Sequence, residues 1–380
     1  MKMGKWLMTV TMVGVLLVMG IPDTQAAKIF KIGVVMPLTG QLSLDGIISA
    51  NGVKLAAEEL NAQGGVKVGE EKYIIEVLTY DDQGTPKESV ASMEKLSTRD
   101  GVKMVIGSFT STSTLSMLPI AAREKVVLCS PVSAADKLTQ VGNKWFFRGG
   151  PSNLRAPQSV PIYMKELGIK TVAHLCANDD YGRIVAATQK ALQEKHGIQV
   201  LSQDYFDHGT TDFYSVLTKI KGLKPDAIMG MLETKANSIF SRQAKEVARE
   251  IRLLEVGGSD PNQIMKLIPE FTQNMYFISR GPGMDYPKAV PLVKRYREKF
   301  KAEPSVFLYS GYDVMMVFAK ALERAGTVTD NEKIHEAMSK TNYDGIMGHY
   351  DFDETNENNL GLWKGDYKGG KVNVYPIKLK

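Results

Sequence analysis

The sequence has little of what many enzymes and nucleic-acid-binding proteins need. Its 380 residues include only Cys129 and Cys176, too few for a framework of disulfides. The formal net charge is only +5, and the basic residues are scattered, which excludes a nucleic-acid-binding footprint. After residue 26, no apolar run is long enough to cross a bilayer as a helix.

Motifs for catalysis and nucleotide binding are also missing. The chain has no Gly-x-Ser-x-Gly elbow, no Gly-x-Gly-x-x-Gly and no P-loop. Its histidines lack metal-ligand spacing, and His174 is predicted to be a core residue of a strand. The Asp81–Asp82 pair is predicted to form a strand-end turn rather than a pair of catalytic acids. The sequence therefore predicts a protein that is not an enzyme and that carries no metal and no cofactor.

The N-terminus has the pattern of a secretory signal peptide. Lys2 and Lys5 precede an apolar run from Trp6 to Ile21, and a short polar segment then ends at Ala26. This order of charged, apolar and small residues predicts a signal peptide over residues 1–26 with cleavage after Ala26. An uncleaved anchor helix is the alternative. Because no cysteine follows the site, we expect export without a lipid anchor.

Strands and helices alternate along the rest of the chain. The first predicted set is Ile32–Met36, Gly46–Ala62, Tyr73–Tyr80, Pro86–Leu96, Val102–Ile106, a helix from Ser111, and Val126–Cys129. The second is Thr171–Cys176, Tyr181–Lys195, Gln199–Tyr205, Asp212–Leu223, Ala227–Met231, Lys235–Ile251 and Leu253–Val256. This order predicts an α/β protein with two doubly wound parallel-sheet lobes, and ligands bind such sheets beyond the carboxyl ends of the strands.

The C-terminal part is predicted to return to both lobes rather than to form a third. Helices are expected at Ser305–Ala325 and Asn331–Ser339 in the first lobe, and strands at Gly345–Phe352 and Lys371–Ile377 in the second. The expected division is residues 27–148 with about 278–347 in lobe 1, and 149–277 with about 348–380 in lobe 2. Several crossings would form a multi-stranded hinge that permits closure around a ligand. Since Cys129 and Cys176 end strands in different lobes, we expect no disulfide between them.

A run of hydroxyl residues, Ser108–Thr114, follows a glycine at the end of a predicted strand and opens a predicted helix. Such a junction directs backbone N–H groups and hydroxyls towards a ligand above the helix N-terminus. An ordinary N-cap is the alternative, since Ser and Thr are common there. Without a P-loop lysine, the pattern favours a small anion such as a carboxylate.

Several motifs occur in an order and spacing that together are specific. They are Ile32–Gly40, Leu60–Val66, Asp81–Asp82 before Thr85–Pro86, Ile106–Gly107, Ser130–Pro131 and Asp180–Gly182. On these motifs the chain resembles, over essentially its whole mature length, the periplasmic leucine/isoleucine/valine-binding proteins and the wider branched-chain amino-acid receptor family. The resemblance implies a type I bilobed fold, a periplasmic location and delivery of a small solute to an ATP-driven (ABC) permease of the inner membrane. We expect a monomer.

The resemblance also implies ligand-binding residues. Ser111, with Thr112 beside it, matches the serine that holds the ligand carboxylate. The loop residues Val132, Ser133 and Ala134 match a ligand-binding segment, although Ala134 stands where the family usually has threonine. Tyr181 matches a cleft tyrosine, and packing on the sheet is its alternative role. Asp260 lies near the acid that binds the ligand ammonium group, and a turn or cap is its alternative role.

Two positions depart from the family pattern and bear on the ligand. Glu233 stands where relatives often have an aromatic residue, and Asp45 stands where others have tyrosine. Each has the alternative of a solvated loop carboxylate. If both face the cleft, a ligand with extra polar or cationic groups is favoured, because a buried carboxylate needs a partner. Tyr309 and Phe307 are candidates for an apolar wall, with packing at a helix start as the alternative.

The predicted function is capture of an amino acid or a related small carboxylate in the cleft between the lobes, followed by delivery to the permease. Three alternatives remain at this point. The first is a ligand-sensing module for a membrane signalling partner. The second is a binder of an organic or aromatic acid or an amide, and the third is a secreted hydrolase on the same scaffold.

Overall fold

The alternation of strands and helices that the sequence predicts is present in the structure. The structure is a computed structural model that describes residues 28–40, 42–152, 156–178, 180–207, 209–232, 234–256, 259 and 261–377. The predicted signal peptide lies outside these residues. Within the described ranges, every helix is too short or too polar to span a bilayer.

The strands, in chain order, are β1 (Lys28–Met36), β2 (Val66–Val68), β3 (Glu71–Asp81), β4 (Met104–Gly107), β5 (Val127–Ser130), β6 (Phe146–Arg148), β7 (Thr171–Ala177), β8 (Gln199–Phe206), β9 (Ala227–Met231), β10 (Arg252–Val256), β11 (Met275–Ser279), β12 (Asn342–Asp344), β13 (His349–Asp351), β14 (Trp363–Asp366) and β15 (Asn373–Pro376). Most are short and apolar, as strands buried on both faces are.

The helices, in chain order, are α1 (Ser43–Ala62), α2 (Pro86–Glu94), α3 (Ser111–Glu124), α4 (Lys137–Gln140), α5 (Ser159–Glu166), α6 (Asp180–Lys195), α7 (Tyr214–Leu223), α8 (Thr234–Val247), α9 (Pro261–Leu267), α10 (Val290–Phe300), α11 (Val306–Ala325) and α12 (Asn331–Ser339). Helix α2 continues into a π-helical turn at Lys95–Arg99. The start of α2 is capped, because Thr85 Oγ1 accepts the Glu88 N–H at 3.4 Å.

The strands form two main sheets. In the first, the order is β2-β3-β1-β4-β5-β6, and only β2 pairs antiparallel to its neighbour. In the second, the order is β15-β14-β11-β10-β9-β7-β8, with β14 and β15 antiparallel. Strand order reverses between β1 and β4 in one sheet and between β7 and β9 in the other. These switch points are where doubly wound sheets bind ligands.

Helix α11 packs tightly on α1 in the first core. A Cβ atom added at Gly52 would lie 2.2 Å from the Leu308 carbonyl oxygen, and one at Gly311 would lie 2.1 Å from that of Ser49. Only glycine permits backbones to approach so closely. Ile334 of α12 is buried in the same core. The C-terminal helices therefore complete the first lobe.

The chain crosses between the two cores three times, after Arg148, after Ser279 and after Leu360. The multi-stranded hinge expected from the sequence is therefore present. One predicted element is placed differently. His349–Asp351 was expected in a strand of the second lobe, but it pairs with Asn342–Asp344 in a hairpin, and Tyr350 is buried in the first core. The interactions that keep this segment there are non-local.

Both cysteines are completely buried, Cys129 on β5 of the first sheet and Cys176 on β7 of the second, and they form no disulfide. The expectation from the sequence is thus confirmed. We predict that titration of the unfolded, unreduced protein will find two thiols per chain. The native protein should react slowly, because burial raises the pKa of the Cys129 thiol and shields it. A titre of zero in the monomer would contradict this placement.

Candidate functional site

The predicted site residues follow neighbouring strands in each sheet. In the first sheet, Asp45 follows β1, Ser111 follows β4, and the loop at 131–135 follows β5. In the second, Tyr181 follows β7, and the positions of Glu233 and Asp260 follow β9 and β10. Glu233 and Asp260 themselves lie outside the described residues. Because carboxyl ends of parallel strands meet at one edge of a sheet, Asp45, Ser111 and the loop at 131–135 lie along a single rim of the first sheet, and Tyr181 follows the corresponding edge of the second.

The start of α3 offers unoccupied hydrogen-bonding groups. Thr110 is the N-cap, and its Oγ1 accepts the Ser113 N–H at 3.2 Å. Ser111 is therefore not the cap; its Oγ accepts the Ala135 N–H at 3.1 Å, which leaves its hydroxyl proton available. Among the described residues, the N–H groups of Ser111 and Thr112 have no partner. These donors and the helix dipole suit a carboxylate.

Most of the other hydroxyls in this region bond to the protein itself. Thr114 Oγ1 lies 2.6 Å from Ser133 Oγ, which also donates to the Ser108 carbonyl oxygen at 3.1 Å. The Ser108 hydroxyl bonds to the buried Asp82 carboxylate. Ser133 is only 2 % exposed, so its hydroxyl holds the loop from the interior of the protein. The hydroxyl run thus builds a rigid base, and Ser111 and Thr112 are its outward members.

One residue of the loop after β5 has both of its own backbone hydrogen-bonding groups unpaired within the described part of the chain. Among the described residues, neither the N–H nor the C=O of Ala134 has a hydrogen-bond partner. The Val132 carbonyl accepts from Arg280 Nη2 at 3.4 Å, which brings the carboxyl end of β11 beside this loop. Although Ala134 lacks the usual hydroxyl, its backbone can still donate to a carboxylate and accept from an ammonium group.

The aromatic wall beside this loop is formed by Phe307 rather than Tyr309. Phe307 packs edge-to-face on Phe109 at a centroid distance of 5.0 Å. It also lines, with Val132 and Arg280, a cavity of about 10 Å³, which has room for about one water molecule. Tyr309 is only 1 % exposed and lies in the first core.

Asp45 lies in the first turn of α1, where the helix dipole favours a negative charge. Its side chain is partly buried, and it has no hydrogen bond within the described ranges. Burial raises the pKa of this carboxyl group above its usual value. The carboxylate therefore gains from any cationic group placed near the rim of the first lobe.

In the second lobe, Ser259, which precedes Asp260 in the sequence, is held by a residue that the sequence analysis missed. Glu255 of β10 is 4 % exposed, and its Oε1 accepts the Ser259 N–H at 3.1 Å. Asn237 Nδ2 donates to Ser259 Oγ at 2.9 Å. An acidic residue in the apolar run Leu253–Val256 was the available signal. Tyr181 is the second residue of α6, and its side chain lies outside the described part of the chain.

The acidic pair Asp81–Asp82 and His174 have structural roles, as predicted. Asp81 accepts N–H groups of Leu38 and Gln83, both at 2.8 Å. Burial alone would raise its pKa, but bonds from Thr39, Leu38 and Gln83 lower it overall. His174 is fully buried, with Nε2 2.7 Å from Gln193 Oε1. Within the described ranges, no three His, Cys, Asp or Glu side chains cluster as metal ligands would.

Two doubly wound lobes, a three-stranded hinge and polar groups at the strand ends define a two-lobed receptor for a small solute. Residues 30–369 match the periplasmic binding protein family, and the chain belongs to that family. The fold of this chain is the type I arrangement. Members of the family bind solutes for transport and do not catalyse reactions.

Named relatives cover nearly the whole chain. The leucine-, isoleucine-, valine-, threonine- and alanine-binding protein of Pseudomonas aeruginosa is 28% identical over 93% of this chain and 91% of its own length. Among solved structures, the branched-chain amino acid transporter substrate binding protein of Streptococcus pneumoniae, in complex with isoleucine, is 26% identical with a TM-score of 0.72, covering 93% of this chain and 100% of that one. A leucine binding protein of Thermotoga maritima is 27% identical with a TM-score of 0.69, covering 91% and 98%.

Proposed function

We propose that this protein captures an amino acid, or a related small carboxylate, between its lobes and delivers it to an ABC permease of the inner membrane. The start of α3 carries the proposal, because the Ser111 hydroxyl and the N–H groups of Ser111 and Thr112 suit a carboxylate. The named amino acids bound by the relatives agree with this ligand class.

The ligand's ammonium group is assigned to acceptors in both lobes. Among the described residues, the Ala134 carbonyl oxygen in the first lobe has no partner, and Asp260 follows β10 in the second lobe. Asp45, Glu233 and Tyr181 complete the proposed rim. A zwitterion held in this way is bound by both lobes at once, so binding and closure are coupled.

Export and the permease complete the proposal. Residues 1–26 have the signal-peptide pattern, and cleavage after Ala26 would release a periplasmic protein. We propose that it acts as a monomer, because a single chain supplies both rims. The alternative is that the protein passes ligand occupancy to a membrane signalling partner instead of a permease. In that case, disruption of its gene would leave uptake of the ligand unchanged.

The test is calorimetry with leucine, isoleucine, valine, threonine and alanine, and with benzoate as a carboxylate that lacks an ammonium group. We expect at least one amino acid to bind and to raise the melting temperature in proportion to the logarithm of its excess concentration. Small-angle scattering should show a smaller radius of gyration at saturation. Binding of benzoate alone, or an unchanged radius, would contradict the proposed ligand or the proposed closure, respectively.

A further inference from the structure

Arg148, the last residue of β6, is completely buried. Its guanidinium group donates hydrogen bonds to the backbone of residues 131–135, the loop after β5, which we call the ligand loop. Nη1 donates to the Ser133 carbonyl oxygen and Nη2 to that of Ala135, both at 2.7 Å. Nε donates to Glu357 Oε2 at 2.8 Å. One planar side chain therefore fixes two carbonyl groups of the loop and one carboxylate.

Glu357 is held as firmly as the arginine. It is 1 % exposed and belongs to the segment before the third crossing between the lobes. Its Oε2 also accepts the Thr139 hydroxyl at 3.0 Å. The flanking Asn356 donates to the Phe146 carbonyl oxygen at 3.0 Å, and Asn358 donates to that of Arg148 at 2.6 Å. These bonds fasten the segment to the edge strand β6.

We propose that Arg148, held in place by Glu357, is a positioning residue that sets the backbone of the ligand loop in its binding conformation. The fork can hold the carbonyl groups of Ser133 and Ala135 only if both point to the same side. The N–H and C=O groups of Ala134 between them then point to the other side, in agreement with their lack of partners among the described residues. Arg148 touches no ligand itself.

The amide groups on either side of Ala134 are fixed as well. The Ser133 N–H donates to Ser130 Oγ at 2.9 Å, and the Ala135 N–H donates to Ser111 Oγ at 3.1 Å. The second bond links the loop to the start of α3. Loss of the guanidinium fork would therefore disturb both the N–H and C=O groups of Ala134 and the orientation of the Ser111 hydroxyl.

The planar geometry of the Arg148 guanidinium group, rather than its charge alone, is the property that lysine lacks. A buried cation needs a paired carboxylate, which Glu357 supplies, and Asp136 of the same loop is close enough to feel the arginine charge. An ammonium group on lysine could keep an ion pair, but it has no rigid fork to span two carbonyl groups and a carboxylate. Arg148→Lys therefore keeps the positive charge and removes the planar fork.

The first experiment is amide hydrogen exchange of the ligand-free protein, read in peptides that cover residues 130–136. We expect Arg148→Lys to exchange about tenfold faster there, since loss of a charge-assisted hydrogen bond changes the opening equilibrium by about that factor. Glu357→Gln should also speed exchange in the same peptides, but by a smaller factor, because both hydrogen bonds from Arg148 to the carbonyl groups remain. If exchange in these peptides is unchanged in Glu357→Gln, Glu357 does not hold Arg148 in place and the proposal is overturned. This result decides the question even if Arg148→Lys does not fold.

Arg295→Lys is the matched control. Arg295 also lies in the first lobe, and it also bonds to a carbonyl oxygen, that of Leu55 at 2.9 Å, and to a carboxylate, that of Glu59. Within the described part of the chain, Arg295 makes no hydrogen bond to the ligand loop. We expect Arg295→Lys to leave exchange at 130–136 unchanged. Faster exchange there would show a general loss of stability rather than positioning.

The second experiment measures affinity, and this arm rests on the proposed function, whereas the exchange arm does not. With whichever amino acid of the panel binds the wild type, Arg148→Lys should weaken binding about tenfold, and Arg295→Lys should not. Faster loop exchange with unchanged affinity would overturn the positioning role. If the wild type binds no member of the panel, the proposed function fails, while the exchange result still decides whether Arg148 holds the loop.

Discussion

Asp260→Ala should weaken binding of an amino-acid ligand by at least about tenfold. A hydrogen bond between charged groups contributes roughly 1.5–3 kcal/mol, and leaving the ammonium group buried without a partner costs a similar amount. Ser111→Ala should weaken binding less, because the N–H groups of Ser111 and Thr112 and the helix dipole remain. Calorimetry on both variants measures the difference directly.

The order of the two effects identifies the ligand class. Asp260→Asn keeps the size of the side chain and removes its charge, so it should lie between the wild type and Asp260→Ala. The melting temperature of each ligand-free variant is the control for folding. Wild-type affinity in Asp260→Ala together with a loss in Ser111→Ala would reject an amino acid and would favour an organic or aromatic acid.

Local signals made much of the fold predictable. The strand Ala227–Met231 and the helix Asn331–Ser339 agree with the sequence prediction residue for residue, because an apolar run and a helical repeat are local properties. The start of α2 was equally clear from Thr85 and Pro86. Short strands that join a sheet by tertiary contacts, such as β6 and β14, have no comparable signal.

The segment around Gly345–Phe352 shows why lobe membership is harder to predict than secondary structure. Its apolar residues suit either core. The buried Asp313 of α11 decides between them, because its carboxylate accepts the Ile346 N–H at 3.0 Å and the Met347 N–H at 2.7 Å. No local pattern indicates a bond between residues more than thirty positions apart, so the second strand of the hairpin, His349–Asp351, was expected in the second lobe although it lies with the first.

The candidate site was predictable only in part for similar reasons. The hydroxyl run indicated the helix start, but which hydroxyl caps the helix depends on one residue of register, and Thr110 takes that role. The Arg148–Glu357 pair joins residues 209 positions apart and is invisible in the sequence. Glu255 is different, because an acidic residue inside an apolar strand can be recognised in the sequence. Its burial in the structure predicts a measurable effect on stability.

Glu255→Gln should stabilise the protein progressively as the pH rises from about 5 to 8. Burial raises the pKa of Glu255 to about 8, although the bonds from Ser259 act in the opposite direction. Between the unfolded pKa near 4.5 and the folded pKa, the folded state holds a proton that the unfolded state has lost. Stability therefore falls with rising pH across this window, by an amount on the order of 4 kcal/mol at pH 8. Glutamine does not titrate and avoids this loss.

The measurement is the melting temperature of both proteins, without ligand, at several pH values. The two should melt together near pH 4.5 and differ by roughly 5–10 °C at pH 8, with the variant higher. His174 has the opposite dependence, since burial lowers its pKa to about 4 against the weaker effect of its Gln193 bond, but it is common to both proteins and cancels in the difference.

Glu250→Gln is the matched control, because Glu250 is an exposed glutamate in the same lobe. A constant offset between wild type and Glu255→Gln at all pH values would mean that Glu255 titrates alike in the folded and unfolded states. In that case the carboxylate would be ionised in the folded protein at neutral pH. A charged bond strong enough to hold the Ser259 N–H would lower the folded pKa instead, and the difference would then reverse its sign, with Glu255→Gln less stable than the wild type at neutral pH.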